Sequence, residues 1–136
     1  MKRFLAFVLC LIALISFTVS AYANEIGTYT NNVLSTTTTF SVTTSGKATV
    51  TNKYYGKSGV TKKATITTKV QKKVGLIWVT VSGGSWTDTS TAVDYSKSHS
   101  VQLSSKGTYR AHVKFVISGT GGSDDEMTKN VEKTYS

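Results

Sequence analysis

Residues 107–119 read GTYRAHVKFVISG, from Gly107 to Gly119. Tyr109, Ala111, Val113, Phe115 and Ile117 are apolar, while Arg110, His112 and Lys114 between them are basic. Successive side chains of a strand point to opposite faces, so an alternation of period two is the mark of a strand with one dry and one wet face. The stretch predicts a strand over Tyr109–Ser118 that buries its odd residues and turns a row of cations to water.

The same period recurs outward from this point. Lys47–Tyr55 places Ala48, Val50, Asn52 and Tyr54 on one face, and Lys62–Lys72 does so with Ala64, Ile66, Thr68 and Val70. Further strands are expected over Thr37–Thr44, Leu76–Val81, Val93–Leu103 (one or two short ones) and Met127–Tyr135. Glycines at 46, 56, 59, 83, 84, 107, 119, 121 and 122 separate them, proline is absent, and β-branched threonine is abundant. No segment keeps a helical period over three turns. Short strands at this spacing predict an all-β fold, an immunoglobulin- or fibronectin-like antiparallel β-sandwich of about seven strands. One domain is expected over residues 36–136, preceded by a polar arm over residues 24–35, with a turn near Lys73–Gly75. Tyr109 opens its strand two residues before the inward Ala111, the position from which a tyrosine corner turns its hydroxyl back onto upstream backbone.

The N-terminus has a different character. Met1-Lys2-Arg3 is basic, Phe4–Ile15 is an unbroken apolar run, and Ala21-Tyr22-Ala23 offers a small-x-small site. This is the layout of a secretory signal peptide over residues 1–23. The run is shorter than the roughly 18 apolar residues that a membrane-spanning helix needs, so the mature form is expected to have no membrane span. Cys10, the only cysteine, lies inside that run and follows Leu9 rather than a small residue, which argues against lipid attachment. The exported part then has no thiol for a disulfide, a metal or a nucleophilic reaction. Setting Lys2 and Arg3 aside, from 16 basic residues against 7 acidic ones, leaves a net charge near +7. Such an excess attracts anionic polymers.

The run ATITTKVQKK, then IWVTVSGGSWTDTST, then YSKSHSVQLSSKGTYRAHVKF, resembles small secreted β-sandwich proteins of Gram-positive, clostridia-like bacteria over about Thr36–Tyr135. The resemblance implies the fold and an exported protein; it carries no catalytic residues.

Several side-chain groups bear on function. Lys63 and Lys69 on one predicted strand, with Arg110, His112 and Lys114 on its expected neighbour, form a candidate anion-binding face. An ordinary solvated sheet face has the same composition, since lysines also protect strands from aggregation. Trp86, after Gly83-Gly84-Ser85, is expected to pack in the core or in a turn, and is the candidate sugar-stacking aromatic if exposed. Trp78, within LIWVTV, is expected to be buried on at least one side. His99 and His112 are expected at the surface, with no second histidine or cysteine at zinc-ligand spacing. Asp88 and Asp94 are expected in a loop, and Asp124-Asp125-Glu126 in a glycine-rich turn that could hold calcium or be a plain acidic tip. The threonine pairs at 49/51 and 65/67 lack the fixed repeat of an ice-binding solenoid. No cofactor and no catalytic constellation are expected.

These features lead to the expectation of a secreted, non-enzymatic protein, loosely associated with the cell wall. Its expected partner is an anionic cell-wall polymer or a glycan rather than a specific nucleic acid. A carbohydrate-binding module using Trp86 and a structural or colonisation-related protein are the alternatives.

Overall fold

Gly75 and Leu76 occupy the two central positions of a tight hairpin in the computed structural model, which describes residues 30–136. Gly75 has φ +63°, a left-handed value that costs glycine nothing and a side-chain-bearing residue much more. The turn lies within one residue of the expected position. The predicted signal segment, residues 1–23, and the first part of the predicted arm lie outside the described residues.

Seven strands follow in order: β1 Val33–Val42, β2 Lys47–Gly56, β3 Thr61–Val74, β4 Ile77–Ser90, β5 Asp94–Gln102, β6 Gly107–Gly119 and β7 Asp125–Tyr135. All pair antiparallel, in a three-stranded sheet β1-β2-β5 and a four-stranded sheet β4-β3-β6-β7. The two sheets face each other as a β-sandwich. Between them lie the residues that alternation selects: Ala48, Val50 and Tyr54 from β2, Ala64, Ile66 and Val70 from β3, and Tyr109, Ala111, Val113, Phe115 and Ile117 from β6. Apolar area removed from water here is the main favourable term in folding.

Two polar members of the predicted inward rows are also buried, Asn52 and Thr68. Asn52 donates to the Thr68 hydroxyl at 2.7 Å and accepts from Thr38 at 2.9 Å, so the two sheets share a satisfied polar link inside the core. The tyrosine corner also forms: the Tyr109 hydroxyl donates to the Ser105 carbonyl four residues upstream.

Two stretches differ from the sequence expectation. The predicted polar arm is fixed structure from residue 30 onward. β1 begins at Val33, and Asn32 and Val33 are fully buried. The Asp125 carboxylate accepts the backbone N–H groups of Asn31, Asn32 and Val33 at 2.7, 2.6 and 3.1 Å. A polar sequence here is not loose, because a distant acid satisfies its backbone.

The second difference is β4. It continues through the predicted turn at Ser85-Trp86 and the predicted loop at Asp88 as far as Ser90. Register jumps from Lys69↔Ser85 to Gln71↔Thr80, so the extra residues of β4 form a bulge around Gly83-Gly84. A Cβ on Gly84 would meet Val81 at 2.5 Å and Val70 at 3.3 Å, which explains the glycine. The glycine pair interrupts the ladder without ending the strand.

Candidate functional site

The outward residues of β3 and β6 meet in register. Gln71 lies opposite Arg110, Lys69 opposite His112, and Thr67 opposite Lys114. On the far side of β6 the same rows continue into Glu132, Asn130 and Thr128 of β7. Adjacent strands are about 4.8 Å apart, so Lys69, Arg110, His112 and Lys114 form one compact group on the outer face of the four-stranded sheet. Lys63 faces the same way, opposite Ser118. It stands six residues from Lys69, about 20 Å along an extended strand, and forms the outlying end of the predicted patch.

Local contacts hold these side chains in place. Arg110 donates its Nε–H to Gln71 Oε1 at 2.8 Å, and its guanidinium lies over the Trp78 ring, 4.4 Å from the centroid. A planar guanidinium gains from such stacking while keeping other donors outward. His112 Nδ1 shares a 2.6 Å hydrogen bond with Asn130 Oδ1. Lys114 is 3.5 Å from Glu126, an exposed pair that contributes little and leaves the ammonium accessible. Lys69 has no ion pair among the described residues.

The opposite outer face has a different chemistry. On the three-stranded sheet, Thr49 and Ser100 hydroxyls meet at 2.9 Å and those of Thr51 and Ser98 at 2.7 Å. Thr39 lies opposite Thr51 and Ser41 opposite Thr49, with Lys47 and Lys53 on the same outward row of β2. The three-stranded sheet therefore presents a hydroxyl ladder flanked by Lys47 and Lys53, and the four-stranded sheet groups its cations at the centre of its face. The threonine pair Thr49/Thr51 is part of this hydroxyl ladder.

Trp86 takes the expected core-packing place rather than an exposed turn. It lies in β4 opposite the buried Thr68, packs against the core, and stacks on His99 with centroids 4.8 Å apart and planes at 11°. One ring face is thus covered by imidazole. Trp78, half-buried, sits on the cationic outer face beside Arg110 and Lys73.

Asp88, expected in a loop, is buried between the sheets and is the one functional-type cluster that sequence reasoning missed. It accepts from Lys97 Nζ at 2.7 Å and shares a 2.6 Å contact with His99 Nε2. Burial pushes its carboxyl pKa up, but the hydrogen bonds and charges of Lys97 and His99 outweigh that and hold it below the usual value. Tyr95 beside it stacks on Tyr54 at 5.5 Å, and its buried hydroxyl has no hydrogen-bond partner among the described residues. Burial first, and the Asp88 charge second, push the Tyr95 pKa up to about 12. His99 is therefore largely an interior residue, where a surface position was expected. The signal was available: Tyr95, Lys97, His99 and Val101 alternate with serines in the sequence.

The acidic triplet does not converge. Asp125 turns inward onto the backbone of Asn31–Val33, whereas Asp124 and Glu126 are exposed. Among the described residues no group of three or more histidine, cysteine or acidic side chains is placed to hold a metal ion, and no helix is long and apolar enough to cross a membrane. Comparison with protein-family models, curated proteins and solved structures returned no match.

Proposed function

We propose that this protein is an exported, non-enzymatic sandwich of the immunoglobulin- or fibronectin-like kind that acts by contact at the cell envelope. The outer face of the four-stranded sheet is its contact surface, and an anionic wall polymer is its partner. The observation that carries this reading is the in-register grouping of Lys69, Arg110, His112 and Lys114 on one sheet face while the other face carries hydroxyls. A polyphosphate chain lying across these strands would exchange its condensed counterions for protein cations, a contact that weakens steeply with salt. Arg110 supplies a planar donor fork suited to phosphate, and Lys69 and Lys114 supply point charges. The resemblance to exported proteins of clostridia-like bacteria agrees with this setting, as does the signal-like N-terminus. Trp86 is a poor sugar platform with His99 over one face.

Binding to isolated Gram-positive cell wall at increasing salt tests the reading. Wild type should bind at low salt and release as salt rises, and a Lys69/Arg110/Lys114 triple alanine should bind much less. Full salt-sensitive retention by the triple variant overturns the proposal. Export is tested separately, by sequencing the N-terminus of protein recovered from the medium, with Asn24 as the expected first residue.

A further inference from the structure

The β3–β4 hairpin extends an apolar tip into solvent. Leu76 is 98% exposed and Ile77 62%, with Val74 and Val79 about half exposed. Val74 pairs with Ile77, and these two share the inward row of the hairpin with Val79. At this level the hairpin borders a groove of about 230 Å³ whose apolar side is Val74, Val79, Val81, Leu103 and Tyr109, with Lys72, Gln102 and hydroxyl residues on the rest of its wall. Exposed large apolar side chains grouped at a turn oppose folding economy and mark a contact site.

The surroundings of the tip state what it contacts. Lys72 and Lys73 immediately precede Val74, and Trp78 follows on the outer face with Lys73 and Arg110 over its ring. Register places Lys72 opposite Tyr109, Tyr109 opposite Lys133, and Lys47 opposite Gln102, so Lys47, Lys72, Lys73 and Lys133 crowd the end of the sandwich that carries the tip. The acids are mostly elsewhere. Asp94 pairs with Tyr55 and Asp125 with Ile117, at the other end, and Asp88 is opposite Ile66 in the body of the sheet. Glu132, opposite Arg110, is the acid nearest the tip. The molecule thus presents an apolar apex, an indole just behind it and a collar of ammonium groups. That layering matches the acyl region, interface and anionic headgroups of a lipid surface in order.

We propose that the β3–β4 hairpin is a lipid-contacting tip, which seats the protein on an anionic bilayer by sinking Leu76 and Ile77 among the acyl chains while Lys72 and Lys73 meet the headgroups. This goes beyond the polymer-binding sheet face and uses different residues. The two surfaces adjoin at Arg110 and Trp78, so a wall-bound molecule could also be held at the membrane.

The test uses protein collected from the medium of an expressing host, wild type and Leu76→Ser/Ile77→Ser sharing one N-terminus. The substituted side chains are exposed, and an unchanged circular dichroism spectrum verifies the fold. Wild type should bind phosphatidylglycerol-containing vesicles at low salt and not vesicles of phosphatidylcholine alone. Its tryptophan emission should shift to the blue and be quenched by brominated acyl chains. The variant should bind these vesicles at least about tenfold more weakly, since the apolar area of two large side chains is lost. It should keep its binding to polyglycerol phosphate. Absence of wild-type binding, equal binding by the variant, equal binding to neutral vesicles, or loss of polyglycerol-phosphate binding by the variant would each overturn the proposal. So would wild-type self-association without lipid that the variant abolishes, which would make the occupant a second copy of the chain.

Discussion

Asn52 on β2 donates its side-chain N–H to the Thr68 hydroxyl on β3, joining the two sheets through two fully buried polar side chains. Leaving either partner unpaired costs more than the bond contributes, because the orphaned group stays buried. Asn52→Ala should destabilise the fold by about 2–3 kcal/mol, since it strands the hydroxyls of both Thr38 and Thr68. In a double-mutant cycle, adding Thr68→Val to Asn52→Ala should cost less than Thr68→Val costs alone. Urea unfolding of the four proteins measures the coupling.

Asp125 should be the acid whose loss is felt most. Its carboxylate is the acceptor for three consecutive backbone N–H groups at the start of β1. Asp125→Ala should cost about 3 kcal/mol by leaving these donors unsatisfied. Amide hydrogen exchange should speed up at Asn32 and Val33 before it does in β6. Asp124→Ala, at an exposed position, should change stability by less than about 0.5 kcal/mol.

Asp88 gives the fold a specific acid sensitivity. Its carboxyl titrates lower in the folded chain than in the unfolded one, held there by Lys97 and His99 against the opposing effect of burial. The unfolded state therefore takes up a proton first as pH falls. The stabilisation is complete above the ordinary carboxylate range and is lost as pH drops through the folded value. Between about pH 5 and pH 2 the urea midpoint of wild type should fall more than that of Asp88→Asn, whose side chain does not titrate. Parallel curves for the two proteins would show that the Asp88 cluster does not carry this dependence.

Tyr109→Phe should lower stability by about 0.5–1.5 kcal/mol, the net worth of one hydrogen bond, here the one to the Ser105 carbonyl. The ring remains buried in the core, so chemical denaturation should move the midpoint with little change in slope.

The inward rows of β2, β3 and β6 were legible residue by residue, because period two identifies a strand with one buried face whatever its neighbours are. The β3–β6 adjacency followed from the expected sandwich order, and with it the grouping of Lys69, Arg110, His112 and Lys114. Two features were not legible. Val33 and Asn32 sit in a polar stretch whose backbone is satisfied by Asp125, more than ninety residues away, and local pattern carries no trace of so distant a partner. Trp86 and Asp88 follow two glycines that read as a chain break, yet the glycines make a bulge and the strand resumes. Pairing with β3 overrides the local turn preference there, and the inward side of β4 acquires an ionic cluster that β5 completes.

The central claim is that the outer face of β3 and β6 is where the molecule meets an anionic polymer. Amide chemical-shift mapping during titration with a short polyglycerol phosphate tests it most directly. The account predicts that the largest shifts fall on Lys69, Arg110, His112 and Lys114 and their immediate neighbours, and that added salt reverses them. Shifts concentrated on the hydroxyl face around Thr49, Thr51 and Ser98, or around Trp86 and His99, would contradict it.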